Sequence, residues 1–288
     1  MARIPDLMAA GPTLSFEFSA PRDAEGERRL NRTLRRLARL APSFMSVTYG
    51  AGGSSRGPTA QVVHRIQHDL GVTAMPHLVC VAHTGEEIAA FVEGYRADGV
   101  ENILALHGDL PEGSTEAAGY FTRAIDLVAF IRDRSDLAIA VAAHPEGHPR
   151  AASVESDREH QAEKLRTADF AVCQFFFRAS HYERFIEEMA ARGVHTPVIP
   201  GVMPPTNIEG IERMAALNNT EFPAEIRAAL LAAGDDVDAR REVGVDVATR
   251  LCLDLLAAGA PGLHLYTMNF SQAAIEVVRN LGIRAETA

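Results

Sequence analysis

Residues 14–49 read LSFEFSAPRDAEGERRLNRTLRRLARLAPSFMSVTY, and they hold a strand, a helix and a second strand in that order. Leu14, Phe16 and Phe18 alternate with Ser15 and Glu17, the period-2 pattern of a strand with two different faces, and Pro21 ends the run. In "EGERRLNRTLRRLARL" (25–40) the arginines 28, 29, 32, 35, 36 and 39 recur at helical spacing, as on a solvated helix face. "FMSVTY" (44–49) is apolar and β-branched again. Two strands joined by a helix make a βαβ unit, which requires the strands to be parallel.

The same alternation continues down the chain. Further strands are expected at 74–80 (AMPHLVC), 102–106 (NILAL), 137–143 (LAIAVAA), 171–177 (AVCQFFF), 197–202 (PVIPGV) and 262–267 (GLHLYT). Helical patterns such as 85–99 and 180–193 separate them. Eight strand–helix repeats predict a closed (β/α)8 TIM barrel, for which about 250 residues is typical. The chain has 288 residues, and the surplus is visible as an extra helix at 218–244, between strands seven and eight. No linker, low-complexity tract or composition break divides it, so residues 1–288 are expected to be one catalytic domain, with 1–12 a flexible or additional N-terminal segment. An open doubly wound sheet is the alternative, but no G-x-G-x-x-G follows the first strand.

Composition narrows the function classes. The chain is 47% hydrophobic and 23% charged, as expected of a globular protein with a sizeable core. A net charge of −10 argues against a nucleic-acid surface. No apolar run approaches the ~18 residues that span a membrane, and the N-terminus lacks a signal-peptide core. Cys80, Cys173 and Cys252 cannot all pair and sit in apolar settings, which fits buried thiols in a reducing, cytoplasmic location.

In such a barrel the active site forms at the carboxyl ends of the strands. Glu17, Thr48, His77, His107, Asp109, His144, Glu146, His148 and Gln174 gather there. An unpaired buried carboxylate is costly, so Glu17 is either a satisfied core group or a functional one; the polar company from several strands favours function. Asp109 also suits a turn, and His77 a satisfied core position. Gln174 stands in the most apolar strand, where its amide needs partners and a heterocycle with paired donors and acceptors would suit it. A metal centre is not expected: Pro145 and Gly147 break the helical geometry that the two histidines of "HPEGH" would need. No nucleophile elbow or phosphate loop is present. Lys164 is the single lysine, in a helical segment rather than on a strand. General acid–base chemistry with a bound cofactor remains.

The stretches SFEFSAPR, FMSVTYGAGGSSR, MPHLVC, NILALHGDLPEG, VAAHPEGHP, QFFF, IPGVMP and LHLYTMN, in this order from about residue 13 to about residue 282, resemble the methylenetetrahydrofolate reductases of the bacterial, barrel-only type. Eight motifs in register make the resemblance specific. It implies a flavin-containing (β/α)8 barrel that passes hydride from NADH or NADPH through FAD to 5,10-methylenetetrahydrofolate, giving 5-methyltetrahydrofolate for one-carbon metabolism and methionine biosynthesis. By the same resemblance Glu17 is the general acid at the folate N10, Asp109 the carboxylate near pterin and flavin, and Gln174 the pterin-binding amide. Thr48, His77, Gly108, His148, Asp157 and Lys164 match FAD-holding positions, with His107, His144 and His160 at three more where the residue type differs. Desolvation in an apolar strand end is expected to favour the neutral form of Glu17. Relatives are commonly homodimers or homotetramers.

The departures from the family pattern are His107 for Arg, His144 for Tyr or Phe, His160 for Asn and Glu163 for Arg, with Gly210, Met214 and Phe270 for a Gln, a Phe and an Arg on the folate side. Losing two arginines and gaining a carboxylate weakens a diphosphate site. If FAD takes the family's pose, Glu163 is expected to turn to solvent or to pair with Lys164 or a nearby Arg such as Arg166. The alternatives are a reductase without FAD, taking hydride directly from NADH, and a folate- or flavin-binding barrel without turnover.

Overall fold

The computed structural model describes residues 1–49, 56–109 and 120–283. Residues 50–55 of the SVTYGAGGSSR stretch and 110–113 of HGDLPEG lie outside the described residues. Eight parallel strands close into one barrel in sequential order: β1 Thr13–Ser19, β2 Phe44–Thr48, β3 Ala74–Val79, β4 Asn102–Leu106, β5 Ala138–Ala143, β6 Phe170–Phe175, β7 Val198–Val202 and β8 Gly262–Tyr266. The (β/α)8 barrel read from the alternation is therefore the fold.

The connections are α2 (Ala24–Ala38), α3 (Arg56–His64, continued by a π turn at Arg65–Asp69), α4 (Gly85–Ala97), α5 (Ala124–Arg132), α6 (Val154–Leu165) and α7 (Ala179–Ala191). Three helices join β7 to β8: α8 (Ile208–Asn218), α9 (Ala224–Ala232) and α10 (Val237–Ala257). The extra helix is α9, and α11 (Gln272–Asn280) follows β8. On α2, Leu30, Leu34 and Leu37 are fully buried while arginines 28, 32, 35, 36 and 39 are exposed, so the basic cluster is the outer face of that helix.

The period of two separates two environments on β1. Leu14, Phe16 and Phe18 pack outward with the helices in the larger apolar core, while Ser15 and Glu17 belong to the opposite face, which lines the lumen. A second core of Phe44, Met75, Leu104, Ala140, Phe170, Val172 and Ile199 fills the lower lumen. A short helix, α1 (Ile4–Ala10), closes that end: Ile4 joins this core, and its N–H donates to Asn102 Oδ1 at 2.7 Å at the start of β4. The three cysteines are free and buried, and burial pushes the Cys80 and Cys252 thiols up to about 12, which leaves them inert.

Near the upper end the lumen narrows across β7. The Tyr266 hydroxyl on β8 donates to the Cys173 carbonyl on β6 at 2.7 Å, reaching past Gly201 on the strand between them. A Cβ at Gly201 would stand 2.2 Å from that carbonyl oxygen and 2.5 Å from the Tyr266 ring. Gly201→Ala is therefore expected to lose about 1–3 kcal/mol of stability, the usual cost of overpacking. Thermal or denaturant unfolding should show this directly; a melting temperature equal to wild type would mean the β6–β8 bridge moves aside freely.

Candidate active site

Glu17 points into the lumen with 15% of its side chain exposed. Its Oε2 is 3.4 Å from His264 Nε2 on β8 and 3.4 Å from His77 Nε2 on β3. The His264 contact has hydrogen-bond alignment, whereas His77 Nε2 has no hydrogen-bond partner. Ser46 on β2 places its hydroxyl 3.4 Å from His264 Nε2, and Ser15 on β1 stands 2.8 Å from His264 Nδ1. The carboxylate is thus hydrogen-bonded by the imidazole of β8 and lies within ion-pair distance of the one on β3.

This arrangement corrects the expectation drawn from burial alone. Desolvation does push the Glu17 carboxyl up, but the His264 hydrogen bond, the charges of His77 and His264 and the Ser46 hydroxyl outweigh it, and its net direction is down. His77 is also held below the usual histidine range, chiefly by burial, with Glu17 pulling it partly back.

His107, His144, His148, Asp157, His160, Glu163 and Lys164 line one cleft of ≈ 470 Å³ beside the ends of β4 and β5, together with Arg123 and Arg150. A hollow of ≈ 520 Å³ between α3 and α4 opens on the outer wall instead, away from the lumen. Ring protons follow from the partners. His107 Nδ1 must donate to the Gly108 carbonyl at 2.8 Å, leaving its buried Nε2 as an unpartnered acceptor. His148 Nδ1 accepts from the Arg150 N–H at 3.1 Å, so its Nε2 carries the proton. Burial pushes His144 down to about 3, with Lys164, His148 and Arg150 adding to the effect, and its Nδ1 also lacks a partner.

Asp157 is 3% exposed and held through one oxygen: its Oδ2 accepts from Arg158 at 3.0 Å and Gln161 at 3.2 Å. Arg158 and Gln161 also hold the His144 carbonyl, and Arg158 takes the Pro145 carbonyl at 2.7 Å, so this trio fixes the loop after β5. Glu163 pairs with Arg123 at 3.2 Å, not with Lys164 or Arg166. The partner is thus a nearby arginine, as one of the expected outcomes had it, but one supplied by the start of α5 rather than Arg166.

The remaining predicted residues stand around the rim. Thr48 ends β2, and Gly108 (φ +89) follows β4 where an added Cβ would meet Val81 at 2.8 Å and Val79 at 3.0 Å. Asp109 is exposed; burial and the charges of Arg150 and Lys164 push His148 down, and Asp157 and Asp109 offset this in part. On β6, Gln174 donates to Asn218 Oδ1 at 2.8 Å and accepts from the Phe175 N–H at 3.0 Å. The amide orientation is thus set, with one N–H and one lone pair left for a ligand.

Sequence reasoning missed His264, Ser15, Ser46, Asn218 and Arg123. The first had a usable signal: in "GLHLYT" His264 alternates with Leu263 and Leu265, the same polar phase as Ser15 and Glu17. The ladder pairs Ser15 with His264 and Glu17 with Tyr266.

A closed parallel barrel with a partnered carboxyl in its lumen and a cationic, donor-rich cleft at its strand ends is the plan of a barrel enzyme. The sequence profile of the methylenetetrahydrofolate reductase family matches residues 3–282, and the chain belongs to that family of oxidoreductases. It is 35% identical to the 5,10-methylenetetrahydrofolate reductase of Escherichia coli, over 94% of this chain and 91% of the relative. It is 35% identical to methylenetetrahydrofolate reductase (NADH) 1 of Arabidopsis thaliana over 99% of this chain, which spans only 51% of that longer protein. Among solved structures, a Clostridium thermocellum protein that binds two copies of 5-methyl-5,6,7,8-tetrahydrofolic acid shares the fold with a TM-score of 0.66 at 12% identity, over 98% of this chain and 97% of its own.

Lys164 supplies the cleft's titratable cation. Burial pushes it down to about 8, with Asp157 pulling it partly back. Its charge is present below that pH and lost above it, so anion binding here should weaken as pH rises through about 8. Calorimetric titration with inorganic pyrophosphate checks this, and Lys164→Met should remove the inflection; an inflection that survives in Lys164→Met belongs to another group.

Proposed function

We propose that this protein reduces 5,10-methylenetetrahydrofolate to 5-methyltetrahydrofolate with hydride from NADH or NADPH, by way of FAD, and that Glu17 is the proton donor. The observation that carries the reading is the lumenal carboxyl joined to His264, in a barrel whose family acts on this folate. Opening the methylene bridge requires a proton on the departing ring nitrogen. A carboxyl fixed by strands on either side can supply it without reorganising. Gln174, with one free N–H and one free lone pair, suits the pterin's paired donors and acceptors. Asp109, exposed at the end of β4, is the second carboxylate assigned to the substrate side.

The cleft residues fit a flavin nucleotide. Lys164, Arg123, Arg150 and the His148 Nε2–H offer donors to a diphosphate. The orphaned His107 Nε2, an acceptor, and the His144 Nδ1 are buried nitrogens with nothing in the protein to meet them. Thr48, His77, Gly108, Asp157 and His160 complete the proposed cofactor set. Bound flavin would relay hydride between nicotinamide and folate; the protein's own part is to orient the two and hold the proton. The described residues include no helix long and apolar enough to cross a membrane, and buried free thiols suit a reducing cytoplasm.

A second reading has its own support. Arg123 is neutralised by Glu163 at the cleft, which lowers the pull on a diphosphate and suits a reductase that takes hydride directly from NADH. Colour separates the two: a yellow protein as purified supports FAD, and a colourless one that oxidises NADH with methylenetetrahydrofolate supports direct transfer.

If FAD is held, Glu163→Gln frees Arg123 and should tighten it about tenfold, read by flavin fluorescence on titration; weaker binding would remove Arg123 from the diphosphate site. Glu17→Gln is nearly isosteric and should lower folate reduction ~10²–10⁴-fold, the range of general acid catalysis. NADH oxidation with an artificial acceptor should persist. Folate turnover within a few-fold of wild type would show that Glu17 is not the acid.

A further inference from the structure

On the outer wall of the barrel, α3 passes into a π turn in which the Leu70 N–H donates to the Arg65 carbonyl at 3.1 Å, five residues back. Single π turns of this kind frequently mark functional sites. This one carries His64 and His68, whose ring centroids are 4.4 Å apart. Both rings are directed at the C-terminal end of α4. His64 Nδ1 lies 2.8 Å and His68 Nε2 3.0 Å from the same atom, Asp98 Oδ1, and His68 Nε2 is also 3.0 Å from the Asp98 carbonyl. A single hydrogen bond would tie the two helices; here two nitrogens converge on one carboxylate oxygen. Asp98 is fixed from behind. The buried Gln67 donates to its carbonyl at 3.0 Å, and its N–H donates to the Gly94 carbonyl at 3.1 Å. The two histidines are exposed, and His64 and Asp98 line the hollow of ≈ 520 Å³ between α3 and α4, so the group is open to solvent ions.

We propose that His64, His68 and Asp98 bind a divalent cation of the zinc class, which clips the π turn to the end of α4. Zinc takes imidazole nitrogen and carboxylate oxygen at ~2.0–2.2 Å, so neighbouring ligand atoms stand roughly 3–3.5 Å apart. The separations of 2.8 and 3.0 Å need to widen by only a few tenths of an ångström, and one donor atom from each residue already lies within 4.8 Å of the others. Each ring then carries its hydrogen on the nitrogen away from Asp98, where water can accept it. Gln67 is the outer partner that orients the carboxylate residue. Two imidazoles select zinc, nickel or cobalt over magnesium and calcium, which prefer oxygen. The surrounding charges permit a cation: Arg65 is engaged with Asn31 and Glu27, Arg96 faces Asp136, and Asp69 lines the same hollow. Among the described residues, Glu146, His181 and Glu221 form another cluster of ligand type. There Arg178 pairs with Glu221 at 3.1 Å and places a fixed cation beside the position an ion would take. The broken geometry of the HPEGH pair argues against a metal at the strand ends. The proposed ion stands on the outer wall, apart from the lumen.

The test is calorimetric titration of the chelator-stripped chain with zinc chloride, in wild type, His64→Ala, His68→Ala and His181→Ala. Wild type should bind one equivalent at this site with micromolar or tighter affinity. His64→Ala and His68→Ala should each weaken that binding at least about tenfold, since even an outer partner of a metal ligand is worth ~10–100-fold in affinity. His181→Ala, in the other cluster, should bind as wild type does. Zinc should also raise the melting temperature of wild type and leave that of the His64→Ala/His68→Ala double variant unmoved, because an ion held only by the folded chain stabilises it. Both histidines are exposed, so these variants should fold, which circular dichroism checks. Should one of them fail to fold, the other carries the test together with Asp98→Asn, for which the same loss is expected. Binding in wild type no tighter than ~100 µM overturns the proposal, as does wild-type affinity in both His64→Ala and His68→Ala. An equal loss in His181→Ala moves the ion to the other cluster and overturns it too. Magnesium chloride at the same concentration should give no binding heat; affinity equal to that of zinc would mark unselective attraction to an acidic surface and overturn the assignment.

Discussion

A carboxyl group near the upper end of a closed barrel's lumen is stabilised by the strands that surround it, because the helices between the strands pack on the outer face. Glu17 takes its partners from β3 and β8, and His264 takes its own from β1 and β2. Four strands are thereby committed to one polar cluster. Ring closure between β1 and β8 is what brings Glu17 and His264 together, although they stand 247 residues apart in sequence. An open sheet with the same strands would separate them to opposite edges.

The strands were legible because their residues do two jobs with one period. Leu14, Phe16 and Phe18 must face helices and Ser15 and Glu17 must face the lumen, so the alternation appears in the sequence itself. The extra helix before β8 was legible for a similar reason, as surplus helical pattern with no strand beside it. What could not be read was pairing across the ring. Burial of Glu17 suggested a neutral carboxyl, yet the two imidazoles reverse the direction, and neither is local to it. The same limit explains Glu163, whose partner Arg123 lies 40 residues earlier, and Gln174, whose partner Asn218 lies 44 residues later. Residue type told where polarity gathered; only the closed ring told what met what.

The cleft beside the ends of β4 and β5 is built on a different principle from the lumen. There the polar groups nearest the backbone are already satisfied: Asp157, Arg158 and Gln161 hold the loop after β5 through the His144 and Pro145 carbonyls. With that loop fixed, His144 and His107 present buried nitrogens that the protein leaves unpaired. Buried acceptors without donors are costly unless something else supplies the donor. The rigid trio and the two orphaned rings therefore belong together: the first keeps the second in place for a ligand. Histidine suits this position where a guanidinium does not, since a neutral ring can accept and Arg can only donate.

The end of β6 shows the same division between fixing and offering. Gln174 would rotate freely as a lone amide, and either face could meet a ligand. Asn218 removes that freedom by accepting from Nε2, while its own Nδ2 donates to the Met214 carbonyl within α8. Asn219, next in the chain, adopts a left-handed conformation (φ 55) and donates to the Glu146 carbonyl, tying the end of α8 to the loop after β5. His181, at the start of α7, stands 3.1 Å from Glu146 and 3.5 Å from Glu221, whose N–H donates to the Glu146 carboxylate at 2.8 Å. The inserted segment between β7 and β8 is thereby joined to the loop that carries His144 and His148. One contact network thus sets the amide of Gln174 and the edge of the cleft beside β5 in a single register, so that a change at Asn218 or Glu146 is felt by both.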